Sequence, residues 1–406
     1  MDPVLNPYTP NAGAQPPAVV GRDDLLDSFA VLLARLAIGR TSQSMIITGL
    51  RGVGKTVLLG KFRRTALQSN WVVIEAEVTK HDNDTFRRNV AAWVRTALFE
   101  LSPRARWSDR LLRAGAVLKS FTISVDPTGG LSAGIDLDAW TGLADRGDLS
   151  HDLTDLLVAL GEAAQEQGRG VVLLFDEVQF LSKDQLEALI SALHKTVQRE
   201  LPITMVAAGL PQIAELAGDA KSYAERLFEF PEIGNLQPED ARRALAEPAA
   251  QEGARFSDPA LDLAVKVTGG YPYFLQELGY AVWGLAEGPS ITVEDVESSL
   301  PLYESKLDSS FIRVRLDRAT ELQRVYLRAM AELGPEPQKA AEVAQIMGRT
   351  SPQVAPTRAE LISMGLLYTP EHGYAAFTVP HFDQFIRRAV PELAVPEVKR
   401  RRRTNG

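Results

Sequence analysis

The chain has 406 residues, 45% of them apolar and 24% charged, so at roughly 150 residues per domain it is expected to form two or three domains with sizeable cores. Its 44 Lys and Arg against 52 Asp and Glu give a net charge of −8, an average that argues against a histone-like coat for nucleic acid. Cysteine is absent, which excludes disulfides, thiol nucleophiles, zinc fingers and iron–sulfur clusters and fits a reducing cytoplasm; the five histidines (His81, His151, His194, His372 and His381) are scattered, with no HxxxH or HxH pair to hold a metal.

Residues 1–18 carry Pro3, Pro7, Pro10, Pro16 and Pro17 and read as an extended arm. Met1-Asp2-Pro3 has neither the basic nor the apolar stretch of a secretory signal, and no apolar run approaches the roughly 18–20 residues of a membrane span. From Gly21 to about Ile38, Leu25, Leu26, Phe29, Leu32, Leu33 and Leu36 recur on a helical period. A buried-strand pattern, Met45–Thr48, runs into Gly49; a helix to about Gln68 and a second apolar strand, Trp71–Val78, follow. Residues 82–118 read as helical. Phe121–Val125 and Leu131–Leu137, on either side of Pro127-Thr128-Gly129-Gly130, read as an inserted hairpin at about 121–137. Then come a helix (Leu153–Gln167), a strand (Val171–Phe175), a helix (Lys183–Arg199), a strand (Ile203–Ala208) and a short strand near Phe228–Ile233. Apolar strands alternating with helices imply an α/β fold with a doubly wound parallel sheet covered on both faces, over residues 19–235. Residues 236–317 read as helices only, an all-α lid and linker. Residues 318–390 read as helix, helix, helix and hairpin, the order of a winged helix, with the third helix beginning its first turn at Pro356. Residues 391–406 form a basic tail, with Lys399 ahead of Arg400–Arg403.

Gly49-Leu50-Arg51-Gly52-Val53-Gly54-Lys55-Thr56 fits the pattern GxxxxGK[ST], between a strand and a helix. Glycines let backbone N–H groups converge on phosphate oxygens, and the following helix offers its positive end to the same anion. Lys55 is suited to reach the β- and γ-phosphates and Thr56 to coordinate Mg²⁺, which makes this a P-loop for ATP, with Gly49, Gly52, Val53, Gly54 and Val57 as further nucleotide-binding candidates. Asp176-Glu177 closes an apolar strand downstream. Asp176 is suited to hold Mg²⁺ beside Thr56, and Glu177 to act as general base on the attacking water. Arg51, inside the loop, is a further phosphate candidate.

With these motifs the chain resembles an AAA+ P-loop ATPase of the origin-recognition-complex-like branch, in the form of bacterial ATP-binding proteins with a C-terminal winged helix, over nearly its whole length. The resemblance implies that Val20-Gly21-Arg22 packs against the adenine. It implies that Arg226, just before the last strand, is an arginine finger for a neighbouring subunit's γ-phosphate, or else a surface arginine paired with Glu225 or Glu229. Two positions depart from the family. Gly209-Leu210-Pro211 stands where a polar sensor ends the strand, and Gly269-Gly270-Tyr271-Pro272 replaces the lid's arginine with something similar to the GxP element of STAND signalling NTPases, which would lay Pro272 against the base, or else makes Pro272 the entry turn of a helix. Slow hydrolysis is expected.

The charge is uneven: residues 318–406 carry +4 and the rest −12. If the winged helix enters a major groove, Gln353, Thr357 and Arg358 would face bases or phosphates, and Lys339, Arg349, Arg387 and Arg388 would add phosphate contacts. Residues 318–390 alone carry only +1, which suits a protein-binding surface equally well. Two functions follow: an ATP-controlled switch for duplex-DNA binding or homo-oligomer assembly, and a STAND-like signalling scaffold whose winged helix contacts protein. A small-molecule kinase fits poorly, because no acceptor-binding loop is evident.

Overall fold

The fold comes from a computed structural model and is described for residues 1–11, 13–102, 108–123, 125–126, 144–312 and 316–395. It comprises two compact units: a sheet unit of Asn11–Gly49 and Val53–Asp240, and a helical unit of Met1–Pro10, Leu50–Gly52 and Ala241–Gly406.

The sheet unit holds five strands, β1 (Ser44–Thr48), β2 (Val72–Glu77), β3 (Val171–Asp176), β4 (Ile203–Gly209) and β5 (Phe228–Glu229), in the order β2-β3-β4-β1-β5. Every pairing is parallel; Met45 lies opposite Val206 and Glu77 opposite Asp176. The strands β1 and β4 are buried along their whole length and β3 up to Asp176, as in a doubly wound sheet. At the edge, β2 instead alternates, with Val72 and Ile74 buried and Glu75 and Glu77 exposed, because one flank meets solvent. Parallel pairing brings the carboxyl ends of β1, β3 and β4 to one edge of the sheet, where ligands of such folds bind.

Helices α1 (Asp23–Ala37), α2 (Lys55–Gln68), α3 (Asn83–Leu101), α4 (Asp109–Thr122), α5 (Leu149–Glu166), α6 (Lys183–Gln198), α7 (Ile213–Ala220) and α8 (Ala224–Leu227) belong with this sheet. Their starts follow local chemistry: Asp82, Ser108 and Asp148 cap α3, α4 and α5, and Ser182 with Gln185 forms a capping box on α6. The strand expected at Phe121–Val125 is not found. Phe121 and Thr122 instead end α4, where Leu111, Ala114, Val117, Leu118 and Phe121 share one buried helical face. The other arm of the expected hairpin, Leu131–Leu137, lies outside the described residues.

In the helical unit α9 (Pro238–Gln251), α10 (Asp258–Thr268), α11 (Pro272–Leu285) and α12 (Val293–Lys306) follow in sequence, with a two-stranded pair β6 (Arg255–Phe256) and β7 (Ser290–Ile291). Gly269, at φ 59°, ends α10, and Pro272 occupies the first turn of α11. The C-terminal block consists of α13 (Glu321–Leu333), β8 (Gln338–Lys339), α14 (Ala340–Ile346), α15 (Ser351–Ser363), β9 (Leu367–Tyr368), β10 (Tyr374–Phe377) and α16 (Phe382–Ala389), its strands ordered β8-β10-β9 and antiparallel. The expected start of the third helix at Pro356 is corrected. Thr350 and Gln353 form a capping box that starts α15 at Ser351, Pro352 takes the first turn, and Pro356 lies inside the helix.

Residues 1–10 form an arm on α11. Asn6 donates to the Tyr280 carbonyl at 3.1 Å, Trp283 donates from Nε1 to the Asp2 carbonyl at 2.8 Å, and the Tyr8 hydroxyl donates to the Leu245 carbonyl at 2.6 Å. Apart from the single 3₁₀ turn Pro3–Leu5, the arm is extended, as its prolines require.

Candidate functional site

The loop after β1 takes its shape from three glycines. Gly49 sits so close to the neighbouring chain that a Cβ would lie 2.3 Å from the Ile233 carbonyl oxygen, and Gly52 and Gly54 adopt φ of 82° and 94°. Gly54 is the residue preceding α2, so the first amides of α2 open toward the loop without a capping side chain. Lys55 is buried, its ammonium donating to the Gly49 carbonyl at 2.9 Å. Val53 is buried and Val57 half-buried.

Thr56, next on α2, donates from Oγ1 to Asp176 Oδ2 at 2.5 Å. Asp176 closes β3, and its Oδ1 accepts the Glu177 backbone N–H at 2.8 Å. Burial pushes the Asp176 carboxyl above the usual aspartate range, the Thr56 hydrogen bond pulls it down, and the Glu177 charge pushes it up again. Glu177 adopts φ 57° and ψ 36°, a left-handed conformation uncommon outside glycine, and starts the 3₁₀ turn Val178–Phe180. Its Oε2 accepts a hydrogen bond from Gln179 Nε2. Lys55, Thr56, Asp176 and Glu177, four residues read from sequence, therefore lie at the ends of β1 and β3 on one edge of the sheet.

Val20 is buried, and Gly21, at φ 67°, leaves room for Asp240: a Cβ there would lie 2.6 Å from its Oδ2. Arg22 donates to the Gly234 carbonyl at 2.6 Å; its guanidinium is shifted down by burial and back up by Asp240. Arg226 lies exposed on α8, and neither Glu225 nor Glu229 forms an ion pair with it among the described residues. In the helical unit, the Arg51 N–H donates to the Thr378 carbonyl at 3.2 Å, and the Tyr273 N–H, next to Pro272, donates to the Gly52 carbonyl at 3.2 Å.

The residues expected to face DNA are divided. Gln353 is exposed, but its side chain accepts the Thr350 N–H at 2.8 Å. Thr357 is 7% exposed and packs inward, contrary to the expected outward face, because α15 begins five residues earlier than expected and turns that position to the core. Arg349 and Arg358 are half-buried. Arg387 caps the end of α13 by donating from Nε to the Ala331 carbonyl at 2.9 Å, Arg388 pairs with Asp308 at 2.8 Å, and Lys339 lies 4.0 Å from Glu342. The run Lys399–Arg403 lies outside the described residues.

Gln179 escaped the sequence reading. Its signal was a lone amide in the run Val178-Gln179-Phe180-Leu181 directly after the acidic pair. Among the described residues no group of three or more His, Asp and Glu could hold a metal by itself, and no helix is long and apolar enough to cross a membrane.

Residues 18–206 match the family model described as AAA ATPase domain, and residues 309–386 one described as Domain of unknown function (DUF8462). No curated protein is significantly similar to the chain. Among solved structures, the chain is similar to the Walker-type ATPase PABY2304 of Pyrococcus abyssi (14% identity, TM-score 0.52, covering 91% of this chain and 96% of that one). It is also similar to Cdc6p of Pyrobaculum aerophilum (13%, 0.47, covering 96% and 99%) and to the Orc1 protein of Aeropyrum pernix in complex with DNA (16%, 0.45, covering 92% and 94%). The first of these superpositions shows a shared fold. Residues 18–206 are thus an AAA ATPase domain, and the loop, Asp176 and Glu177 all fall inside it.

Proposed function

We propose that the chain is a Mg²⁺-dependent, ATP-hydrolysing molecular switch of the origin-recognition-complex-like kind, whose C-terminal winged helix carries the output. The observation that carries this reading is the cluster of Lys55, Thr56, Asp176 and Glu177, with Thr56 Oγ1 2.5 Å from Asp176 Oδ2. Two oxygen donors so juxtaposed, one hydroxyl and one carboxylate, suit Mg²⁺, which keeps waters and substrate oxygens in its shell. Thr56 and Asp176 would hold the ion, and bound there it would offset charge on the β- and γ-phosphates. The Lys55 ammonium exchanges the Gly49 carbonyl for phosphate oxygens. The amides of Gly52, Val53 and Gly54 and the first turn of α2 cradle the same phosphates. Glu177 accepts the proton of the attacking water. Val20, Gly21 and Arg22 flank the base, and Arg226 serves a neighbouring subunit.

Lys55→Ala is expected to abolish binding of a fluorescent ATP analogue. Glu177→Gln is expected to keep binding while steady-state phosphate release falls about 100-fold or more. Normal hydrolysis by the Glu177 variant would remove it as the base.

For the output, a second reading is favoured by a specific observation. Thr357 is buried, Arg387 is committed to the Ala331 carbonyl within the block and Arg388 to Asp308 ahead of it, which takes these residues from phosphate. That suits a STAND-like scaffold whose winged helix contacts protein, with ATP driving assembly.

A further inference from the structure

The end of β4 offers no polar side chain toward the acidic pair. Gly209, Leu210 and Pro211 stand there, so the strand end presents backbone, the Leu210 amide among it. That N–H donates to Gln179 Oε1 at 3.1 Å, and Gln179 Nε2 donates to Glu177 Oε2. The amide orientation is fixed by its partners: reversing it would set carbonyl against carboxylate and amine against N–H. Gly209 leaves the space, since a Cβ there would lie 3.0 Å from Gln179 Oε1 and 3.1 Å from Val178 Cγ2. One carboxamide therefore spans from the carboxylate after β3 to the backbone after β4. At the other end of the same residue, Glu177 is held in its left-handed conformation with its N–H on Asp176. A glutamate side chain has three rotatable bonds, so a general base on it must be held in place by a neighbour to stay aligned with water.

We infer that Gln179 is the positioning residue for Glu177, tying its carboxylate to the end of β4 in place of a polar sensor side chain on that strand. The inference rests on the reading of Glu177 as general base. Movement of the β4 end against β3 would reach the base through this amide.

The test is phosphate release and ATP-analogue affinity for the full chain, its Lys55→Ala control, Gln179→Ala, Gln179→Glu, Glu177→Gln and the double variant Glu177→Gln/Gln179→Ala. Gln179→Ala is expected to lower kcat about 100-fold with affinity within about two-fold of the unsubstituted chain. Gln179→Glu has the same shape and keeps the acceptor for the Leu210 amide, but sets a carboxylate against Glu177. It is expected to be as slow as Gln179→Ala, and it serves as the second variant should the alanine form fold poorly. In the double variant, loss of Gln179 is expected to add nothing to the loss from Glu177→Gln, because the two act as one unit. Wild-type turnover in Gln179→Glu, or additive losses in the double variant, would overturn the inference by leaving only a structural tie to β4. If the unsubstituted chain binds the analogue but releases no phosphate, the ATPase reading fails and this inference with it. Turnover in the unsubstituted chain matched by Gln179→Ala sinks this inference alone.

Discussion

Gly49 shows how tightly a single position can be constrained. A Cβ there would meet the Ile233 carbonyl oxygen at 2.3 Å, a contact with backbone that no rotamer change relieves. The same stretch of chain pairs through Ile233 N–H to the Thr48 carbonyl at 2.8 Å, so the obstacle is held by its own hydrogen bond. Gly49→Ala is expected to destabilise the fold by about 1–3 kcal/mol, read as a lower denaturant midpoint, and to weaken nucleotide binding. A midpoint unchanged from that of the unsubstituted chain would show that the loop can shift. At this scale the sequence was informative where placement is local: Lys55, Thr56, Asp176 and Glu177 each sit at a fixed offset from a strand end. Gln179 was not legible, because its meaning depends on β4 lying beside β3, a long-range pairing that no local pattern contains. Thr357 misled for a related reason. Its facing follows from where α15 starts, and the Thr350–Gln353 capping box moves that start ahead of Pro356.

Elements were legible where the apolar period was unbroken. The buried runs of β1, β3 and β4 read correctly as parallel strands covered on both faces, whereas Phe121–Val125 read as a strand because it precedes the turn-like Pro127-Thr128-Gly129-Gly130. The packing of α3 and α5 against α4 decided otherwise. Phe121 lies under the Arg87 guanidinium, 4.5 Å from ring centroid to charge, and Arg87 pairs with Asp152 at 2.9 Å. Asp152 is fully buried and its second oxygen accepts the Arg146 N–H at 3.0 Å, so the pair links three segments without solvent. Removing one member strands the other charge. Asp152→Ala is expected to cost about 3–5 kcal/mol in chemical denaturation, and Arg87→Met with Asp152→Leu to recover most of it. A cost below about 1 kcal/mol for the single change would mean that water reaches Arg87.

Over the whole molecule the charge is the least even property, −12 over residues 1–317 and +4 over residues 318–406. Duplex DNA would be repelled by the first and drawn to the second. Within residues 318–390, however, positive and negative charges nearly cancel, and Arg387, Arg388 and Lys339 have carbonyl or carboxylate neighbours. The surplus is therefore concentrated in Lys399 and Arg400–Arg403. If the chain binds duplex at all, each phosphate contact from that run adds about 0.9 to the slope of log affinity against log salt. Replacing Arg400–Arg403 by Gln is expected to lower the slope by about 3–4, with Arg358→Ala changing it by about 1 or less. Equal slopes for the unsubstituted and tail-substituted chains would place the contacts in the folded block. Absence of duplex binding, together with growth in mass by light scattering in ATP but not in ADP, would assign the output to protein assembly. A duplex affinity that changes between ATP and ADP would assign it to DNA, since a nucleotide biases an output only through unequal affinity for the two states it controls.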